Sequence, residues 1–182
     1  MSLSFVWSDF DGLTPHALYA ALRLRQQVFA IEQHCLFLDP DGQDLQARHL
    51  CVWDGSGREP ADLAGYARLF EPLPAGAEAG PASSARSDSV ASLGRIITAS
   101  AWRGSGLGRR IVAEALLETR RRCGDVPVCI GAQSRLLPFY RAFGFVVAGG
   151  DYLEDGMLHT PMRLEPGDAD WAGFAELAAN TV

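Results

Sequence analysis

The segment of this sequence best suited to holding an anion is Arg103-Gly104-Ser105-Gly106-Leu107-Gly108-Arg109. It follows an apolar run, Leu93 to Thr98, and precedes Ile111, Val112, Ala115 and Leu116 at helical spacing. A strand that runs through glycines into a helix gathers backbone N–H groups in one concavity at the positive end of the helix, which suits a phosphate or pyrophosphate. The P-loop pattern needs Gly-Lys-Ser/Thr, and the chain has no Lys. The dinucleotide fingerprint needs G-x-G-x-x-G, whereas the glycines here fall as G-x-G-x-G. A nucleotide-binding domain is therefore a poor reading, and an ordinary glycine-rich turn is the bland one.

The elements that must position this turn follow from hydrophobic patterning. Residues 3–7 alternate as a short strand, and Thr14-Pro15 starts a helix expected over 15–31, with Leu18, Leu22, Arg25 and Phe29 at helical spacing. Asp39-Pro40-Asp41-Gly42 closes that region in a turn. His49 to Trp53 and Leu63 to Phe70 form an antiparallel hairpin. Residues 71–90, rich in Pro, Gly, Ala and Ser, are expected to be a mobile surface loop that interrupts the domain without dividing it. A strand at 93–98, a helix at 107–122 and a strand at 126–131 imply a parallel pair joined by a crossover. A short helix through 136–143, strands near 145–147 and 158–164, and a helix over 168–178 complete an α/β fold with a mixed sheet.

Composition limits the partners. The chain has 182 residues, which bounds it to one domain, 1–182, and 16 bases against 22 acids leave a net charge of −6. Clustered positive charge is missing, so neither nucleic acid nor an anionic membrane is expected as a partner. Cys35, Cys51, Cys123 and Cys129 form no C-x-x-C pair and lie in no zinc-ligand spacing, so no metal is expected. The N-terminus lacks a signal-peptide pattern and no apolar run approaches the ~20 residues of a span, so a reducing cytoplasm is the expected compartment. The acids Asp39, Asp41 and Asp44 resemble a calcium loop only loosely. Their glycine stands fourth rather than sixth and Leu50 takes the place of the bidentate Glu, so a solvated turn is expected.

A second segment, Leu137-Pro138-Phe139-Tyr140-Arg141-Ala142-Phe143-Gly144-Phe145, follows the second parallel strand. With Arg-x-x-Gly-x-Gly at 103–108, it resembles the GCN5-related N-acetyltransferase (GNAT) superfamily and its F-Y-x-x-x-G-F segment. The ElaA-type branch is resembled further by Leu22 to Arg25, Val28-Phe29, Glu32-Gln33, the acids 39–44, Arg48-His49, Glu154-Asp155-Gly156, His159 and Met162. The resemblance implies a GNAT fold: a mixed six- to seven-stranded splayed sheet flanked by helices. It also implies acetyl-CoA as acetyl donor, with Arg103, Gly104, Ser105, Gly106, Leu107, Gly108 and Arg109 on its pyrophosphate. Ile96, Ile97 and Thr98 would supply backbone groups to the pantetheine, and an N–H near Thr98 would polarise the acetyl carbonyl.

The activity so implied is direct transfer of an acetyl group to a primary amine of a small molecule or peptide. Tyr140, otherwise a core aromatic, would protonate the leaving thiolate. The base stays open among Glu32, His49, Glu154 and His159, although His49 also reads as a hydrogen-bonded core histidine. Acids at 32–44 and at Asp151, Glu154 and Asp155 would wall the acceptor entrance and attract an ammonium group, or would merely keep two loops soluble. A non-catalytic CoA-responsive or partner-binding module on the same fold is the alternative, and a homodimer is left open.

Overall fold

The computed structural model describes residues 3–55, 59, 62–73 and 89–180. The expected loop at 71–90 lies outside the described residues except at its two ends. Among the described residues, eight strands form one sheet: β1 (Leu3–Asp9), β2 (Arg48–Asp54), β3 (Leu63–Phe70), β4 (Ala91–Thr98), β5 (Val128–Gln133), β6 (Val146–Val147), β7 (Tyr152–Glu154) and β8 (Met157–Leu164). The order is β1-β2-β3-β4-β5-β8-β6, with β7 also on β8. β7, all of it exposed, is the strand that patterning does not reveal, since it offers no buried face. Asp155 (φ 52) and Gly156 (φ 79) make the tight turn that folds β7 back onto β8.

Every pairing is antiparallel except β4 with β5. That parallel pair holds for only two residue pairs, Ala91 with Val128 and Ser92 with Cys129. Beyond them the strands part, and the sheet opens at its centre. β4 also carries a bulge: Tyr66 pairs with Ile97 and Arg68 with Gly94, so Ala67 faces two residues, Arg95 and Ile96. Arg95 holds φ 51, a left-handed conformation that costs a non-glycine residue of order 1 kcal/mol or more. The bulge shifts the alternation of the strand by one. Leu93 and Ile96 both contact cluster residues beneath α2 (Leu107–Cys123), whereas Ile97 joins the cluster beneath α1 (Pro15–Arg25).

Thr14 caps α1, its hydroxyl oxygen accepting from the Ala17 N–H at 3.1 Å, with Pro15 at the first helical position. Ala20, Ala21 and Leu24, with Val28 just beyond the helix, bury its apolar face against Trp53, Leu63 and Tyr66. The helix expected over 15–31 does not run through: it ends at Arg25 and a π-helical turn, Gln26–Glu32, follows. The wider turn brings Phe29 and Gln33 to the central opening of the sheet. α2 begins at Gly106 (φ 92) and stops at Gly124 (φ 73). A Cβ on Gly65 would lie 2.4 Å from Ile111 Cδ1 and 3.2 Å from the Ile97 carbonyl oxygen, so α2 and β3 approach closely at this glycine. Two further helices follow, α3 (Leu137–Arg141) and α4 (Trp171–Ala179), the second capped by Asp170, which accepts from Gly173 N–H at 3.0 Å. No helix of the described residues is long and apolar enough to cross a membrane.

Candidate active site

A cavity of about 530 Å³ lies at the opening between β4 and β5. Phe29, Phe37 and Phe70 line one side, the bulge residues Arg95 and Ile96 reach it from β4, and Tyr140, Tyr152, Glu154 and His159 border the rest. Beside it sits a network of three arginines and three aspartates. Arg25 donates through Nε to Asp39 (2.7 Å) and through Nη1 to Asp44 (2.8 Å). Arg68 donates to Asp41 and to Asp44, each at 2.8 Å. Arg95 donates through Nε to Asp39 at 2.8 Å, and its guanidinium lies near the rings of Phe29 and Phe37.

This corrects the reading of the 39–44 segment as a solvated acidic turn. Asp39 is 2% exposed and Asp44 7%, and their charges are matched by arginines the sequence pattern did not bring near them. Burial would raise the carboxyl pKa of Asp41, but hydrogen bonds and charge from Arg68 outweigh it and hold that pKa down at about 2. Asp44 is lowered against the same burial by Arg25 and Arg68. Three acids bound in this way anchor the cavity wall and do not project charge into the opening.

The candidate bases separate. His49 is 1% exposed and lies in the core. Its Nε2 is 2.9 Å from the Asp44 carbonyl, which can only accept, so Nε2 carries the proton and Nδ1 accepts from the Tyr66 hydroxyl at 2.7 Å. Burial pushes its pKa down, and no ring nitrogen is left to meet a substrate. Glu32 ends the π-helical turn and is ion-paired with Arg103, outside the cavity lining. Glu154 and His159 do border the cavity, together with Tyr140. His159 Nδ1 lies 3.0 Å from the Met157 carbonyl, so it donates there, and in the neutral ring Nε2 keeps the lone pair.

Tyr140 sits in α3 with edge-on contacts to Phe139 and Phe145, 8% exposed. Burial pushes its phenol up to about 12, so it stays protonated at neutral pH. Sequence reasoning missed Tyr152, Gln33, Gln133, Arg68 and Arg95 at this site. The Asp155-Gly156 turn could have found the first, because it places Tyr152 directly opposite His159.

The glycine turn stands at the other end of β4. Gly104 (φ 77) and Gly106 (φ 92) need their backbone freedom, and a Cβ on either would meet nothing within 4 Å. Ser105 Oγ accepts from Leu107 N–H at 3.3 Å, and the Gly106 carbonyl accepts from Arg109 N–H at 3.0 Å, which closes the first turn of α2. Arg103 donates to Glu32 and to the Thr98 carbonyl, the latter at 3.4 Å. Ile96 borders the cavity, whereas the Ile97 side chain is buried and Thr98 points toward Gly108. β4 therefore joins an open backbone turn to a side-chain-lined cavity.

Three comparisons bear on this arrangement. The family described as "Acetyltransferase (GNAT) domain" matches residues 74–166. A UPF0039 protein of Synechocystis sp. is 36% identical over 163 residues, covering 89% of this chain and 95% of that protein. Protein ElaA of Escherichia coli is 34% identical over 163 residues, covering 87% and 95%. A crystal structure described as an acyl-CoA N-acyltransferase from Pseudomonas aeruginosa superposes with a TM-score of 0.77 at 34% identity, covering 90% of this chain and 99% of that one.

Proposed function

Because the chain belongs to the GNAT acetyltransferase family, beside ElaA and the UPF0039 proteins, and so is an acyl-CoA-dependent acyltransferase, we propose that it transfers an acetyl group from acetyl-CoA to a primary amine by direct attack. The observation that carries this reading is the opening of the β4–β5 pair after two residue pairs, with the glycine turn at one end of β4 and the Tyr140 cavity beside its bulge. Backbone groups freed where the strands part can hold the pantetheine, and the turn from Arg103 to Arg109 can receive the pyrophosphate. No step needs a metal ion.

The chemistry asked of the chain is small. An ammonium group entering the cavity gives one proton to a base and attacks as a neutral amine. The C–N bond forms at the thioester carbonyl, the C–S bond breaks, and the amine sheds its second proton as the amide forms. His159 and Glu154 are the base candidates within reach of the cavity. Tyr140 acts on the sulfur. An alkyl thiol ionises near roughly 8.5, so its thiolate is a weaker base than a phenolate of pKa about 12. Full proton transfer from Tyr140 is uphill. Its hydroxyl instead donates a hydrogen bond to the sulfur as charge develops, which stabilises the transition state without losing the proton.

The acceptor we propose is a small molecule or an exposed peptide end, and the four free cysteines suit a reducing cytoplasm. Thiol release from acetyl-CoA across a panel of primary amines tests the reading. Release that depends on the amine, with the N-acetyl product seen by mass spectrometry, is the expected result. CoA binding without release on any amine would return the chain to a binding module.

A further inference from the structure

Gly131 stands in the middle of β5 without any backbone reason to be glycine. Its φ lies outside the left-handed region, and it pairs regularly with Pro161 of β8. Glycine inside a strand costs roughly 0.5–1 kcal/mol relative to alanine. What a Cβ at this position would meet is one side chain: Tyr152 Oη at 2.4 Å, with Tyr152 Cζ at 3.7 Å. Tyr152 belongs to β7, on the far side of β8 from β5. Its phenol therefore reaches across β8 and ends on the bare backbone of Gly131.

On the way it covers His159. The two residues are direct cross-strand partners, and their rings stack with centroids 5.8 Å apart and planes 29° from parallel. Gly131, Tyr152 and His159 all border the cavity that Tyr140 also borders. The Glu154 carboxylate stands beside the Tyr152 hydroxyl, and burial first and that negative charge second push the phenol pKa up and keep it protonated. The imidazole is thus held twice, by its Nδ1–H on the Met157 carbonyl and by the ring lying over it.

We propose that Gly131 is the seat of Tyr152, and that Tyr152 resting there is the positioning residue that holds His159 Nε2 ready to take the proton of the acceptor ammonium. The proposal rests on the acetyl-transfer reading and chooses between the two bases which that reading leaves. The step it describes is a proton transfer: the substrate N–H bond breaks, its proton binds Nε2, and the nitrogen keeps the electron pair that then attacks the thioester. Glu154, whose charge stands beside the phenol, supports Tyr152 rather than taking the proton.

Adding a methyl group at Gly131 displaces only the tip of a half-exposed side chain, so the fold should tolerate it while Tyr152 leaves His159. The test uses Gly131→Ala, Tyr152→Ala, Tyr152→Phe and the double variant Gly131→Ala/Tyr152→Phe. Nitrogen-15 NMR of the histidines reads the His159 tautomer, and steady-state kinetics read kcat against KM. In the wild-type protein His159 should show an Nδ1–H signal. Gly131→Ala and Tyr152→Ala should each lose that single tautomer and lower kcat about 10–100-fold, with KM for acetyl-CoA nearly unchanged and melting temperature preserved.

Tyr152→Phe keeps the stacked ring and should lose only a few-fold. In the double variant the clashing oxygen is gone, and the nearest ring atom would stand about 3.7 Å away, so tautomer and kcat should return to the Tyr152→Phe level. Gly131→Ala with the wild-type tautomer, or a double variant that is not rescued, overturns the seat. A tautomer change without a fall in kcat overturns His159 as the base. If the wild-type protein acetylates no amine while the NMR signals shift as expected, the seat stands and the acetyl-transfer reading falls.

Discussion

The two ends of β4 are built from different materials. At the glycine turn the surface offered to a ligand is backbone: Gly104 and Gly106 in left-handed conformations, open above, and the N-terminus of a 17-residue helix. At the cavity it is side chains drawn from the π-helical turn, the 37–44 segment, the β4 bulge, β5, α3 and the β7–β8 hairpin. A backbone site is made by one contiguous segment, so one substitution can spoil it locally. A side-chain site held by a buried charge network is cooperative, and its failure should spread into the fold.

The network is where the largest effect is expected. Asp44 accepts from both Arg25 and Arg68, which are 1% and 3% exposed. Asp44→Ala removes three hydrogen bonds and leaves two buried guanidinium groups short of a partner. Breaking a buried ion pair from one side costs about 3–5 kcal/mol, which for a chain of this size lowers the melting temperature by roughly 10 °C. Calorimetry checks it, and a melting point within a degree or two of wild type would mean that the network is dispensable to the wall it holds.

Next in size is Tyr140→Phe, which removes one oxygen from the cavity and keeps the ring among Phe139 and Phe145. In the proposed role the hydroxyl serves the developing thiolate, so kcat should fall roughly 10–1000-fold while acetyl-CoA affinity and stability hold. Loss of affinity in step with kcat would place Tyr140 in cofactor binding and blur the division between the two sites.

Gly106→Val probes the backbone site. A β-branched residue is strained at φ 92, and its methyl groups would stand where a pyrophosphate approaches. CoA affinity should weaken by about tenfold, the result of one blocked approach, measured by calorimetry on protein shown to be folded. Unchanged affinity would mean that the turn is not the phosphate site.

The same contrast explains what could be read from the sequence. The turn was legible because its backbone shape lies in spacing: glycines after an apolar strand and before a periodic helix define it within seven residues. The hairpin of β2 and β3 was legible as two apolar runs either side of a glycine-bearing loop, both strands being buried on both faces. The helix α2 was legible because it buries one face with a helical period. The cavity was not. Arg25, Arg68 and Arg95 lie on a helix and two strands, and nothing local marks a charged residue whose partner sits 14 to 56 positions away. His49 shows the limit from the other side, because a histidine on a strand has the same letter whether it faces substrate or, as here, Tyr66 and the Asp44 carbonyl.

The smallest effect concerns charge at the proposed acceptor entrance, where the sequence left two acidic segments either to attract an ammonium group or merely to keep two loops soluble. With Asp39, Asp41 and Asp44 tied to Arg25, Arg68 and Arg95, and Glu32 to Arg103, the first segment contributes four negative charges matched by four positive ones. Across the opening, Asp151 accepts from Thr160 at 2.7 Å, and Glu154 and Asp155 line the cavity with Arg135 close enough to offset part of their charge. The net field over the entrance is therefore that of about one or two exposed carboxylates, screened within about 10 Å at 0.1 M salt. Raising ionic strength from roughly 0.02 to 0.3 M should lower kcat/KM for a cationic amine by no more than about threefold, against the 10-fold or greater loss that focused steering produces. An amine bearing no further charge should lose about as much as a diamine loses beyond it, since each adds a single unit of charge to the same weak field. A steep salt dependence confined to polycationic acceptors would show that the acids of the 39–44 segment act through the network wall after all, and that the two ends of β4 differ less in their electrostatics than in their construction.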